Sequence, residues 1–362
     1  PGEAREADLG IAAGNKRGHL FIKGRNIAVV PESEMVEALV EWAEFINEHG
    51  IDAAIVRFAG LEVLLMAATM NVIGAMMGTA VAKTVGKGII SISDYAESPL
   101  PEMQQKGLVI ILAALLGACI WNLITWWKGL PSSSSHALIG GLGGAALAAG
   151  ATVKWTGILE KVVVPMVVSP IVGIFVGYLV MKLILRIFRD AHPGRTKRGF
   201  RMAQTASAAA MAFGHGMQDA AKTAGVVVLA LTVAGYQSGD DHHIPMWVLV
   251  MSAVVISLGT YAGGWRIMRT LGRGIIHLDP PQGFAAEVTA ASILYVATML
   301  RAPISTTHAI TAAIMGVGST RSLKAVRWGV AKNIVGAWIF TFPGAGLSAA
   351  VVMWVAMPLF GV

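Results

Sequence analysis

The sequence predicts an all-α integral membrane fold, built as a duplicated repeat with two re-entrant helical hairpins that carry Ser and Thr. Three observations predict it. The 362 residues are 55% hydrophobic and only 14% charged, with a mean hydropathy of +0.65, too apolar for a soluble globular chain. Several apolar runs reach the ~20 residues that a membrane-crossing helix needs: 108–127, 158–184, 246–264 and 331–350, the last interrupted by Pro343. Finally, two unusual stretches occur twice.

The first repeated stretch is Pro131-Ser132-Ser133-Ser134-Ser135-His136-Ala137-Leu138-Ile139-Gly140-Gly141. Its second version, Pro303-Ile304-Ser305-Thr306-Thr307-His308-Ala309-Ile310, lies 172 positions on, with Gly144 matching Gly316. The second repeated stretch is Lys83-Thr84-Val85-Gly86-Lys87-Gly88-Ile89-Ile90. It returns 186 positions later as Arg269-Thr270-Leu271-Gly272-Arg273-Gly274-Ile275-Ile276, and the pairs Gly78-Thr79 and Gly259-Thr260 precede the two copies. Repeated halves with short, interrupted apolar segments at matching places mark secondary transporters, whose site lies between the halves.

In chain order, residues 1–56 form a polar segment without a signal-peptide pattern. Within it, Val36, Leu39, Val40 and Phe45 recur at helical spacing and predict a surface helix over 35–47, too short to span. The first membrane repeat is assigned to 57–186, beginning with a span at 57–83 that has Glu62 near one end. Residues 91–105 read as a loop. In the 108–127 span, Trp121, Trp126 and Trp127 form an interfacial belt, and Cys119 is expected to be a buried packing residue. The apolar part of the first Ser-rich element, 137–149, is too short and glycine-rich to cross alone and reads as one hairpin arm. Pro165 and Pro170 are expected to kink the following span.

A basic loop, 187–201, divides the repeats. With flanking Lys182 and Arg186 it holds Arg189, Arg195, Lys197, Arg198 and Arg201 against Asp190 alone. The positive-inside rule makes it cytoplasmic, and the membrane spans around it argue against nucleic acid as its partner. The second membrane repeat occupies 202–362. There an Ala-rich helix breaks at Gly214-His215-Gly216-Met217-Gln218-Asp219 and resumes through 220–234. A carboxylate at membrane depth costs ~3 kcal/mol on insertion scales and usually marks function, so Asp219 outweighs a plain structural pair with Lys222. The run Asp240-Asp241-His242-His243 reads as a solvated loop. Glu287 reads equally as a cation ligand or as a complement to its helix's N-terminal dipole.

The chemistry of the two Ser/Thr elements is that of an anion site. A helix-starting proline, hydroxyls and an apolar run together present free N–H groups and hydroxyls to an anion without burying fixed positive charge. Helix capping is the competing role of such runs, but two in register with histidine argue for more. His136 and His308 read as structural. Neither a nucleophile–base pair nor a metal-ligand cluster nor a nucleotide loop is evident, so no enzyme, catalytic residue or metal site is expected. Under the 186 offset, the Asp219 segment should have a partner near 27–45, and none stands there. The first half is therefore divergent, truncated or frame-disturbed at that point.

These residues resemble the inorganic phosphate transporter family, often called PiT, and in particular its bacterial low-affinity permeases. Gly129 to Gly141 is similar to the family's first hairpin signature and Pro303 to Ile310 to its second. His215-Gly216-Met217-Gln218-Asp219-Ala220-Ala221-Lys222-Thr223 is similar to its His-Gly-x-Asn-Asp-Ala-x-Lys-Thr segment. Gly283 to Glu287 and Trp121-Asn122 also fit, the whole covering about 57–342. The resemblance implies that the duplicated fold is an inverted repeat, and a symporter in the bacterial cell membrane, multi-pass, taking up phosphate with a proton or sodium, in some members as a metal–phosphate complex.

It further implies that Ser132, Ser133, Ser134, Ser135, Ser305, Thr306, Thr307, Gln218 and Thr223 bind substrate. Asp219, Asn122 and Glu287 would serve the coupling ion. No cofactor is expected beyond that ion; the partners are phosphate, the cation and the lipid bilayer, with a homodimer as the assembly to test. Sulfate, also tetrahedral, is an alternative substrate, and a truncated, non-transporting anion-binding relative is another reading. Two departures stand out: Gln218 replaces the family's asparagine, and the first-half Gly-x-x-Asp-x-x-Asn segment is absent.

Overall fold

The computed structural model describes residues 9–14, 17–22, 25–49, 51–78, 95, 101–237, 244–262, 267–268, 270–276 and 278–362. The expected loop at 240–243 and the first Gly-rich repeat at 83–90 lie outside these residues. The chain divides into two compact units, Pro1–Met66 and Ala67–Val362.

The first unit corrects the all-α expectation. Strands β1 (Leu9–Gly14), β2 (Arg17–Ile22) and β3 (Arg25–Pro31) form an antiparallel sheet in the order β1-β2-β3. Alternate residues of β2, Gly18, Leu20 and Ile22, are buried, as the twofold period of a strand requires. Leu20 and Ile22 pack with Leu39, Trp42, Phe45 and Ile46 of helix α1 (Met35–His49). That helix is the one expected from its spacing, extended by two residues.

Helix α2 (Ile51–Met77) follows. The second unit then runs through α3 (Pro101–Trp127), α4 (Ser134–Ala148), α5 (Val164–Ile187), α6 (Pro193–His215), α7 (Ala221–Val233), α8 (Met246–Ala262), α9 (Pro280–Met299), α10 (Thr306–Ser319) and α11 (Trp328–Phe360). Among the described residues, α3, α5 and α11 are long and apolar enough to cross a membrane.

Several boundaries differ from expectation. Helix α3 starts at Pro101, so the end of the expected 91–105 loop is helical. The basic segment is mostly helix: α5 runs to Ile187 and α6 begins at Pro193, leaving a short turn. Pro165 directly follows a π-turn, Leu159–Val163, that joins α5 to a short preceding helix, and Pro170 lies within α5. Pro343 does not interrupt α11, which continues for 33 residues. Cys119 is exposed rather than buried, on the same helix as exposed Leu112, Leu116 and Leu123. Composition alone cannot tell an apolar face turned to lipid from one turned to protein.

The duplication is visible in detail. After α3, Gly129 N–H donates to Trp126 and Leu130 N–H to Thr125; after α9, Arg301 N–H donates to Thr298 and Ala302 N–H to Ala297. Both turns therefore close with the same bonds, at Gly129 (φ 66°) and Arg301 (φ 56°). The packing is reciprocal as well. A Cβ at Gly144 of α4 would meet the carbonyl of Gly346 in α11, and one at Gly316 of α10 would meet that of Ile174 in α5. Each pair is the other displaced by 172 positions, so α4 packs on α11 in the way that α10 packs on α5.

Candidate functional site

The two Ser/Thr elements become the first turns of α4 and α10. Ser133 is the N-cap of α4, its Oγ accepting from His136 N–H at 3.2 Å. Ser305 caps α10 in the same way, accepting from His308 N–H at 3.2 Å. Capping and anion binding are thus compatible: the cap takes the third N–H, while the N–H groups of Ser134, Ser135, Thr306 and Thr307 have no acceptor within their own helices.

The two first turns are brought together. The rings of His136 and His308 meet edge to face at 4.8 Å between centroids, and His308 stacks on Trp338 at 4.0 Å. The indole N–H of Trp338 donates to the Pro131 carbonyl at 3.0 Å. The two imidazoles thus pack between the first turns of α4 and α10 and against Trp338.

Beside these turns the chain passes from α6 to α7 through a π-turn, Gly216–Ala220. The expected break is a widening: one extra residue enters the helical ladder without ending it, a local feature frequent at functional sites. Helix α2 explains the glycines. A Cβ on Gly216 would lie 2.2 Å from the Asn71 carbonyl, and one on Gly74 would lie 2.1 Å from that of Phe213.

The π-turn carries Asp219. Its Oδ1 accepts from Lys222 Nζ at 2.9 Å, and its Oδ2 from Thr306 Oγ1 at 3.1 Å. His215 Nε2 stands 3.0 Å from the same Oδ2, and His215 Nδ1 lies 3.1 Å from Asn71 Oδ1. Lys222 Nζ also donates to Ser135 Oγ at 2.8 Å and to the Ile304 carbonyl. Asp219 and Lys222 do pair, as the structural reading held, and the pair also ties α4 to α10. Asn71 was missed in the sequence, where it is one polar residue in an apolar run.

The other candidates are distributed around this network. Gln218 is fully buried and donates to Thr298 Oγ1 at 2.8 Å; its Oε1 has no partner among the described residues. The Ser132 and Thr125 hydroxyls bond at 2.7 Å. Ser134 is exposed and Thr307 half-buried. Thr223 is exposed and donates to the Asp219 carbonyl, one turn back on its own helix. Asn122 joins through its backbone, its carbonyl accepting from Thr125. Glu287 is engaged elsewhere, accepting from Ser207 and Gln204. It lies two turns into α9, beyond the first turn in which a helix dipole acts. Among the described residues, no group of three His, Cys, Asp or Glu is arranged to hold a metal ion.

Helices long and apolar enough to cross a membrane, together with two capped, hydroxyl-bearing helix starts, are the features of a membrane protein. The comparisons agree: residues 61–349 match the phosphate transporter family, and the chain belongs to it. The family's proteins are transporters and not enzymes. The probable low-affinity inorganic phosphate transporter of Bacillus subtilis (strain 168) is 39% identical over 300 residues, 82% of this chain and 86% of that protein. The protein of the same name in Mycobacterium tuberculosis (strain ATCC 25618 / H37Rv) is 43% identical over 285 residues, 78% of this chain. The chain spans 66% of the length of that mycobacterial relative. A solved structure, described as the sodium-dependent phosphate transporter, superposes with a TM-score of 0.72 at 27% identity, covering 82% of this chain and 90% of its own. The sulfate alternative finds no support among these relatives.

Proposed function

We propose that this chain is a multi-pass secondary transporter of the cell membrane that takes up inorganic phosphate together with a coupling cation. The observation that carries this reading is the meeting of two capped first turns at one ion pair: Ser135 of α4 and Thr306 of α10 both bond to the Asp219–Lys222 pair. In this reading α4 and α10 are the arms of re-entrant hairpins in an inverted repeat. Phosphate oxygens take the free N–H groups and hydroxyls of residues 132–135 and 305–307, with Gln218 and Thr223 beside them. Charge-assisted hydrogen bonds of this kind are short and about twice as strong as neutral ones. Asp219 anchors the positive charge that offsets the anion, and Asn122 and Glu287 serve the cation along its path. The names of the relatives and the family match support phosphate as the substrate.

The test is uptake of labelled phosphate into proteoliposomes under separate sodium and proton gradients, with sulfate as competitor. Gradient-driven uptake, little affected by sulfate and reduced at least tenfold by Asp219→Asn, is the expected result. Phosphate binding without uptake in the wild-type chain would overturn transport while leaving an anion-binding membrane protein.

A further inference from the structure

The Lys222 ammonium has three protons, the full donor capacity of a lysine. Each meets an oxygen: Asp219 Oδ1 at 2.9 Å, Ser135 Oγ at 2.8 Å and the Ile304 carbonyl. These oxygens come from three separate parts of the chain: the π-turn, the first turn of α4 and the segment leading into α10. A carboxylate, a hydroxyl and a backbone carbonyl are also the oxygen ligands that a hard monovalent or divalent cation takes. Lys222 itself is 3% exposed, on the helix that carries its partner. A buried ammonium is tolerated when it is paired and its protons are satisfied, and this one is.

We propose that Lys222 is a tethered cation, occupying the oxygen cage between the two arms that a sodium ion would otherwise fill. A metal ion and the ammonium cannot share these oxygens, so the cage does not fit sodium while Lys222 is in place. Asp219 and Lys222 cancel to zero net charge. The remaining titratable groups near the ammonium are His215, paired to Asp219, and the imidazoles of His136 and His308. The carboxylate that would otherwise call for a sodium ion is therefore already neutralised by the chain, and phosphate binding needs no sodium at this position. The inference rests on the phosphate reading above and deepens it.

Equilibrium binding of labelled phosphate to the purified full chain tests this, with sodium chloride replaced by choline chloride at constant ionic strength and pH. The wild-type dissociation constant is expected to change less than twofold between the two salts. Lys222→Met keeps most of the side chain, ending one heavy atom short, and removes its charge. It is expected to weaken phosphate binding at least tenfold in choline, with sodium restoring part of the loss by entering the vacated cage. A wild-type affinity that rises fivefold or more with sodium would overturn the tethered-cation proposal and leave the phosphate reading intact. The wild-type titration needs no variant, so a poorly folding Lys222→Met leaves the test valid. No phosphate binding in either salt overturns both readings.

Discussion

At the scale of single residues, the two turns before the arms make a natural experiment. Gly129 and Arg301 hold equivalent positions, at φ 66° and 56°. A left-handed backbone costs an L-residue ~1–2 kcal/mol, which glycine escapes. Gly129→Ala is expected to destabilise by ~1 kcal/mol, and Arg301→Gly to raise the thermal midpoint of the detergent-purified chain. A fall in midpoint for Arg301→Gly would mean that contacts of the arginine outweigh its backbone strain. Residue chemistry was partly legible in the sequence. Asp219, Lys222 and the hydroxyl runs announced themselves, because charge in an apolar run and repeated Ser/Thr are local signals. Asn71 did not: its contact with His215 joins residues 144 positions apart and depends on how α2 lies along the π-turn. Nor did spacing say which hydroxyl of each run would cap and which would face the Asp219–Lys222 pair. That is fixed by where the helix starts.

Among the elements, the arms are held by close backbone approach, and glycine is what permits it. A Cβ at Gly144 would stand 2.0 Å from the Gly346 carbonyl and one at Gly316 2.1 Å from that of Ile174, whereas Gly143 has nothing within 4 Å. Gly144→Ala and Gly316→Ala should each lower the thermal midpoint by several degrees, and Gly143→Ala should leave it unchanged or raise it slightly through helix propensity. Equal tolerance at all three positions would contradict the packing described here. Hydropathy found the existence of most helices but not their limits. Helices α3 and α6 extend into polar sequence because a helix end follows its caps and prolines rather than the edge of its apolar stripe. Pro343 misled for a related reason. One proline removes a single backbone donor, and tertiary packing on α4 keeps the helix continuous across it.

For the whole molecule, the proposed inverted arrangement makes a prediction about sides. Cys119 is the one cysteine in the chain, so Cys119→Ser provides a clean background for added cysteines. Thr152 and Lys324 are both exposed and stand 172 positions apart, in the turns after α4 and α10. Thr152→Cys and Lys324→Cys are expected to react with an impermeant maleimide from opposite faces of the membrane. Reaction from the same face would sink the inverted repeat while leaving the reciprocal packing untouched. The duplication and membrane class were plain in the sequence, since both rest on long patterns. The sheet of the first unit was not. Gly18, Leu20 and Ile22 do alternate as a buried strand face, but the run is short, and a polar segment before strongly helical sequence gave no reason to test a period of two.

Helix α11 is shared between two separate hydrophobic cores. One core joins α3 and α4 to the later residues of α11, Ala349, Met353 and Ala356. The other joins α5, α9 and α10 to its earlier residues, Ala331, Ile334 and Trp338. The two bodies that these cores outline therefore do not coincide with the two halves of the sequence, because each draws on both. Helix α11 belongs to both bodies in turn and changes allegiance around Pro343, Gly344 and Gly346, where the backbone lacks one hydrogen bond and carries little side chain. A rotation of one body against the other would find its pivot there, inside a helix rather than in any connecting loop.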